Sequence, residues 1–253
     1  LADYSLGIAE RVYECAPDEF CDVTQTPLPA WELADLRAYD SVSVQYSRGC
    51  PFKCEFCNVT ALFGHRPRTK TVEQVLAELD LLHSLGWRGK VFFVDDNLIG
   101  NKARVMKELL PALCEWQTRR KGVPFYTQVS INLADDEALL EMMRRAGFES
   151  VFIGIETPSE DSLAECSKKQ NTRRDLIADV KRIQRAGIEV QAGFIAGFAD
   201  DPESLLPRPI ELPPERGTPL AVGGVSPAIE VHKLVQPLPP GGLPPRETSR
   251  RQL

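Results

Sequence analysis

Cys50, Cys54 and Cys57 stand at C-x3-C-x2-C spacing in the short run Cys50-Pro51-Phe52-Lys53-Cys54-Glu55-Phe56-Cys57. Three thiols this close in sequence can close on one inorganic centre, and three protein ligands leave a fourth coordination position unfilled. A cubane iron–sulfur cluster held in this way keeps one iron free to bind a substrate or cofactor directly. Structural zinc is the alternative. It wants four ligands, usually as two separated pairs, and the nearby fourth candidate is His65, eight residues past Cys57. A disulfide is the weaker reading, because three neighbouring cysteines cannot all pair and the chain total of seven is odd. Cys15, Cys21, Cys114 and Cys166 are scattered and read as small buried apolar residues.

The elements that must position this loop are strands alternating with helices. Residues 41–47 alternate apolar and polar, so the cysteines follow a strand's C-terminal end. Thr71 to Gln74 spells a capping box, and Val72, Val75, Leu76, Leu79 and Leu82 share one helical face that stops at Gly86. Residues 91–94 read as a second strand. A helix over 101–121 follows, with a kink or split expected at Pro111. Residues 125–131 are a third strand, after which Asp135 is expected to cap a helix running to Gly147. A fourth strand spans 151–155, and Thr157-Pro158-Ser159-Glu160 is expected to combine a capping box with proline at the first helical position. Residues 188–198 are a fifth strand and 220–225 a sixth.

This alternation predicts a parallel sheet, open or closed into a barrel. Ser43 and Gln45, then Tyr126, Gln128 and Ser130, then Glu189 and Gln191 make one face of three strands polar. A filled eight-fold barrel packs branched apolar residues there, so an incomplete barrel with a ligand-holding lumen is expected. The alternative points these faces outward. The expected fold class is α/β. Residues 1–40, with Trp31, Leu33 and Leu36 as apolar points, read as a lead-in from a missing N-terminal domain; 41–225 form the core domain. Residues 226–253 form an irregular tail, 12 of the 20 prolines falling within 202–253.

Arg48-Gly49 before the first cysteine and Phe56 before the third make the loop resemble that of the radical S-adenosylmethionine (radical SAM) enzymes. The resemblance implies a [4Fe-4S] cluster at Cys50, Cys54 and Cys57 whose open iron is chelated by SAM, with reductive cleavage to a 5'-deoxyadenosyl radical that abstracts hydrogen. It also implies a partial (β/α)6 TIM-type barrel, expected to be truncated at both ends, and an electron donor such as a flavodoxin or ferredoxin. Phe56 joins the cofactor-binding set by the same match. Asp95-Asp96-Asn97 follows the second strand where the family usually carries Gly-Gly-Glu. The sequence departs from that pattern, but Asp95 and Asp96 could still accept from the SAM ammonium; helix-entry capping is the alternative.

Gly154-Ile155-Glu156 resembles the family's ribose-contacting position, with a salt bridge to a nearby Arg or Lys as the alternative for Glu156. The run from Gly193 to Phe198 resembles the fifth-strand motif lying close to adenine, Gly193 permitting the approach. Arg173, Arg174 or the basic run 66–70 could meet the SAM carboxylate, a solvated loop being the better reading for most of them. No residue is assigned as catalytic in itself.

The stretches 93–97, 154–158 and 26–31 are most similar to cobalamin-dependent radical SAM enzymes, the group that includes hopanoid C-2 methylases. Their cobalamin domain, which precedes the lead-in, is expected to lie outside this sequence, and Asp80 to Gly86 does not reproduce the Asp-x-His-x-x-Gly motif. The expected function is methylation or other C–H functionalisation of an unreactive carbon in a small molecule or lipid, with cobalamin supplied by another domain. A methylthiotransferase-like enzyme and a non-catalytic zinc-stabilised module are the alternatives. A formal charge of −6 argues against nucleic acid as the main partner. No apolar run approaches the roughly 18 residues of a membrane helix, and unpaired thiols with an oxygen-sensitive cluster point to the cytoplasm.

Overall fold

The computed structural model describes residues 2–12, 20–120, 122–196, 198 and 221–225. Cys15, the proline-broken stretch 202–219 and the tail 226–253 lie outside the described residues. Six strands form one sheet: β1 (Ser41–Val44), β4 (Lys90–Phe93), β5 (Phe125–Gln128), β6 (Phe148–Glu156), β7 (Glu189–Ala196) and β8 (Ala221–Val225). They lie side by side in that order, every neighbouring pair parallel. Spatial order thus follows chain order with no reversal. A doubly wound sheet reverses and carries helices on both faces; a sheet wound one way keeps them on one face and curls as a partial barrel.

Register makes the helix-facing side apolar. Val42, Val91, Phe125 and Phe148 are partners across four strands, and all are buried. One step on, Val44, Phe93, Thr127, Val151 and Val190 repeat the row. Thr127 satisfies its buried hydroxyl by donating to the Phe93 carbonyl at 2.8 Å. Against these rows pack Val75, Leu79 and Leu82 of α3 (Val72–Ser84), Leu113 and Trp116 of α5 (Leu110–Arg119), and Leu139 and Met143 of α6 (Glu137–Arg145). Ile183 of α8 (Leu176–Arg185) completes this layer. The α3 capping box forms as its sequence dictates, Thr71 and Gln74 serving each other's backbone.

The opposite, concave face carries the polar set. Ser43 and Glu189 are exposed, while Tyr126, Gln128 and Gln191 are half-buried. Ser41 Oγ lies 2.9 Å from the Tyr126 hydroxyl. Aromatic rings join them: Phe92 stacks on Tyr126 with centroids 4.7 Å apart, and a side chain at Gly193 would meet the Phe152 ring at 2.7 Å.

Several local expectations are corrected by tertiary partners. The first strand ends at Val44; Ser47–Arg48 forms a separate β2, antiparallel to β3 (Arg68–Thr69). Asp136, not Asp135, caps α6 by accepting from the Leu139 amide, because Asp135 is taken by Arg174 at 2.5 Å. Ser159 caps α7 (Glu160–Glu165), so Pro158 precedes the cap instead of opening the helix. The 101–121 helix does split: α4 (Lys102–Arg104) passes through a π-turn at Val105–Leu109 before α5, where Pro111 sits in the first turn. In the lead-in, Trp31 and Leu36 pack on the chain's own core while Leu33 stays 85% exposed. Cys166 is buried and Cys114 half-buried, but Cys21 is exposed.

Candidate cluster and cofactor site

The β2–β3 pair closes residues 49–67 into a loop beyond the C-terminal end of β1. Gly49 adopts φ +99°, and a side chain there would press on the carbonyls of Phe63, Gly64 and Arg66 at 3.0–3.1 Å. Only glycine lets the outgoing limb lie so near the returning one. Inside the loop the Cys50 amide donates to Gly64, the Cys57 amide to Cys54, and the Glu55 amide reaches across to the Cys166 carbonyl at 3.0 Å.

Cys50, Cys54 and Cys57 are unpaired and half-buried. Burial pushes the Cys50 thiol up, and the neighbouring Cys54 and Cys57 push it further, against hydrogen bonds from Phe52 and Asn97 that lower it. Three thiolates in so short a loop are a costly arrangement unless positive charge sits among them. Among the described residues no three His, Cys, Asp or Glu side chains are grouped to hold one metal ion. A cubane needs no such convergence, since each thiolate takes a different iron. The donor set fits a three-thiolate cluster.

The acidic run after β4 anchors this loop. Asp95 is fully buried and accepts from the Tyr46 amide at 3.1 Å, the Ser47 amide and the Ser47 hydroxyl at 2.5 Å. Asp96 Oδ2 accepts from the Gly49 amide at 2.8 Å. Two consecutive carboxylates thus fix the backbone leading into Cys50, an employment the sequence did not suggest. Asp96 is half-buried, and no hydrogen bond among the described residues reaches its Oδ1.

Burial raises the Asp95 carboxyl to about 6 despite the hydrogen bonds from Ser47 and Tyr46 that lower it. A raised carboxyl favours the protonated native state, so its contribution is complete below the unfolded value near 4 and lost as pH rises through about 6. The stability of the wild-type chain relative to Asp95→Asn should fall by about 2 kcal/mol between about pH 4.5 and about pH 7. Urea midpoints at the two pH values measure this. A relative gain with pH would mean that the three donors outweigh burial.

At the end of β6, Glu156 is 7% exposed with φ +66°, where the β6–β7 register shifts. Its Oε1 accepts from Lys168 Nζ at 2.6 Å, and among the described residues no hydrogen bond reaches Oε2. A side chain at Gly154 would press on the ends of the Glu156 and Lys168 side chains, so glycine leaves the pair its place. Lys168 also stands 5.5 Å from the Phe56 ring centroid, tying this pair to the cysteine loop. Arg174 is committed to Asp135 and Asp179, Lys70 to Glu78, and Arg68 to the Cys21 and Phe63 carbonyls.

Residues 44–205 match the Radical SAM superfamily. The chain belongs to the radical SAM superfamily. Its cofactors are those of the family, a [4Fe-4S] cluster and SAM. The chain is 53% identical over 178 residues to an uncharacterized methyltransferase of Synechocystis, covering 70% of this chain and 33% of that protein. It is 44% identical over 186 residues to the hopanoid C-2 methylase of Rhodopseudomonas palustris, covering 72% of this chain and 35% of the methylase. The chain thus spans about a third of the length of these curated relatives. Its fold is similar to the cobalamin-dependent SAM radical enzyme OxsB at TM-score 0.58 and 21% identity, covering 70% of this chain and 27% of OxsB. Kitasatospora setae TsrM, with tryptophan and a SAM analogue bound, gives 0.57 and 17% over 66% of this chain and 32% of TsrM.

In this radical SAM chain a cleft of about 580 Å³ lies beside the cluster loop, lined by Pro51 and Phe52, by His65 and Arg66, and by Lys102 and Asn132. Sequence reasoning missed Asn97, Lys168 and Gln170 as parts of the site. Asn97 is 2% exposed and bridges to Ser130, and its side chain holds the Cys50 thiol lower than burial alone would. Its place directly after the Asp pair was the available signal. Lys168 and Gln170 had none, since only the turn after α7 brings them to the loop.

Proposed function

We propose that this chain is the catalytic core of a cobalamin-dependent radical SAM methylase acting on an unreactive carbon of a small molecule or lipid. The observation that carries this reading is the Cys50–Cys54–Cys57 loop, pinned by Asp95 and Asp96 at the C-terminal rim of a partial barrel whose concave face is polar. The 44% identity to a hopanoid C-2 methylase supports the reaction class. When bound, the cluster and SAM supply the electron and the adenosyl radical that opens a C–H bond.

The chain's own residues bind and orient. Asp96 Oδ1 and Glu156 Oε2, the oxygens left over by the protein's own bonds, are proposed to accept from the SAM ammonium and the ribose hydroxyls. Asp95 is assigned to holding the loop, Gly193 with Phe152 to the adenine side, and Lys168 to the SAM carboxylate. Phe56 packs beneath Lys168. The basic cleft at His65, Arg66 and Lys102 suits an acidic electron donor of the flavodoxin or ferredoxin kind. No helix among the described residues is long and apolar enough to cross a membrane, and an oxygen-sensitive centre suits the cytoplasm.

Anaerobic reconstitution followed by SAM and dithionite tests the reading. The expected result is about four irons per chain and release of 5'-deoxyadenosine. One tight zinc with no iron would establish the zinc module instead.

A further inference from the structure

Residues 166–171, the turn after α7, lie against the cysteine loop at three points. The Cys166 carbonyl accepts from the Glu55 amide at 3.0 Å, Lys168 stands over Phe56, and Gln170 Nε2 lies 3.5 Å from Cys54 Sγ. The turn is held from below by Asn171, 1% exposed, whose Nδ2 donates to the Gly154 and Ile155 carbonyls at 3.0 Å each. Gln170 sits in the short helical turn Lys169–Asn171 between these fixed neighbours.

Its amide is oriented at a cost. Gln170 Oε1 is buried with no hydrogen-bond partner among the described residues, while the NH2 end faces sulfur. A thiolate has no proton to give, so only the amide's donor end can satisfy it. That orientation is what a cluster-bound Cys54 demands.

We propose that Gln170 is a positioning residue for the cluster, donating a hydrogen bond to the Cys54 thiolate and so setting how readily the cluster accepts its electron. This inference rests on the cluster reading above. Reduction adds one electron to the cluster and makes or breaks no bond. The added negative charge is shared by the ligand sulfurs, so a donor on one of them favours the reduced state and raises the potential. Lys168, two residues away and paired with Glu156, lends its charge through space; Gln170 makes the contact.

The test is a dithionite redox titration of the reconstituted full chain, followed by electron paramagnetic resonance of the reduced cluster. Gln170→Leu should disfavour reduction about tenfold, which lowers the midpoint by about 59 mV for one electron. Gln170→Glu, which cannot donate when ionised, should lower it at least as far. In the unmutated chain carrying 15N-labelled glutamine, pulsed resonance should detect a nitrogen coupled to the cluster spin. That measurement stands even where a variant loads poorly. A loaded chain with no such coupling, or variants that lose only iron or thermal stability while the loaded fraction keeps its midpoint, overturns the inference alone. A chain that takes up no iron overturns the cluster reading and this inference with it.

Discussion

Cys54→Ala should abolish the cluster, dropping reconstituted iron from about four per chain to less than one and removing the broad visible absorbance of a cubane. A cluster held by three thiolates has none to spare, and residues 49–67 hold no other cysteine. A fourth cysteine, Cys166, feels Cys54 electrostatically, yet it is buried and donates to the Leu163 carbonyl at 3.6 Å. Burial raises its thiol to about 11, against a hydrogen bond from Lys168 that lowers it. It therefore stays protonated at neutral pH and makes a poor ligand. Cys166→Ser should accordingly keep its iron. Iron analysis and the visible spectrum of the two variants, reconstituted side by side, check both halves. Equal losses would mean that Cys166 belongs to the ligand set and that the C-x3-C-x2-C reading is incomplete.

The contrast between these cysteines also marks what a sequence can disclose. Cys50, Cys54 and Cys57 stand out because a three-thiolate cluster would need them within one loop, and spacing is the signal. Strand and helix alternation was legible for the same reason, since period and caps are local. The Thr71–Gln74 box formed as written. Asp135 and Asp136 show the limit. Either aspartate can cap the next helix, and the choice falls to Arg174, a partner 39 residues away.

Asp95 shows it in the site. The parallel β1–β4 pairing sets residue 95 beside residues 46 and 47, and only then does its carboxylate become an anchor for backbone amides. Gln170 is 116 residues from the cysteine it faces. Its contact depends on α7 and the turn after it being placed first. The resemblance reads Gly193 as room for a cofactor, whereas at Gly49 and Gly154 the space is used by the protein's own carbonyls and by the Glu156–Lys168 pair.

That pair carries the second large effect. Glu156→Ala should do two separable things. It strands Lys168, whose side chain is 11% exposed, without its counter-charge, and breaking a buried pair from one side costs about 3–5 kcal/mol of stability. If Oε2 holds the ribose hydroxyls, it should also weaken SAM binding by about 1.5–3 kcal/mol, roughly ten- to a hundredfold. Iron content should not change, because no thiolate is touched.

The two effects are told apart by removing the stranded charge as well. Glu156→Gln combined with Lys168→Met replaces the pair by neutral groups of similar length, and a buried pair removed whole costs far less than one broken. Thermal stability should largely return in the double variant. SAM affinity, titrated on the reconstituted protein, should stay depressed, since neither substitution restores a charged acceptor to the ribose. Lys168→Met alone should separate further: if Lys168 meets the SAM carboxylate, affinity falls while Glu156 remains in place. Suppose instead that affinity recovers together with stability in the double variant. Glu156 would then be a structural residue holding the end of β6 against the turn at Lys168, and the ribose would have to be bound by other groups.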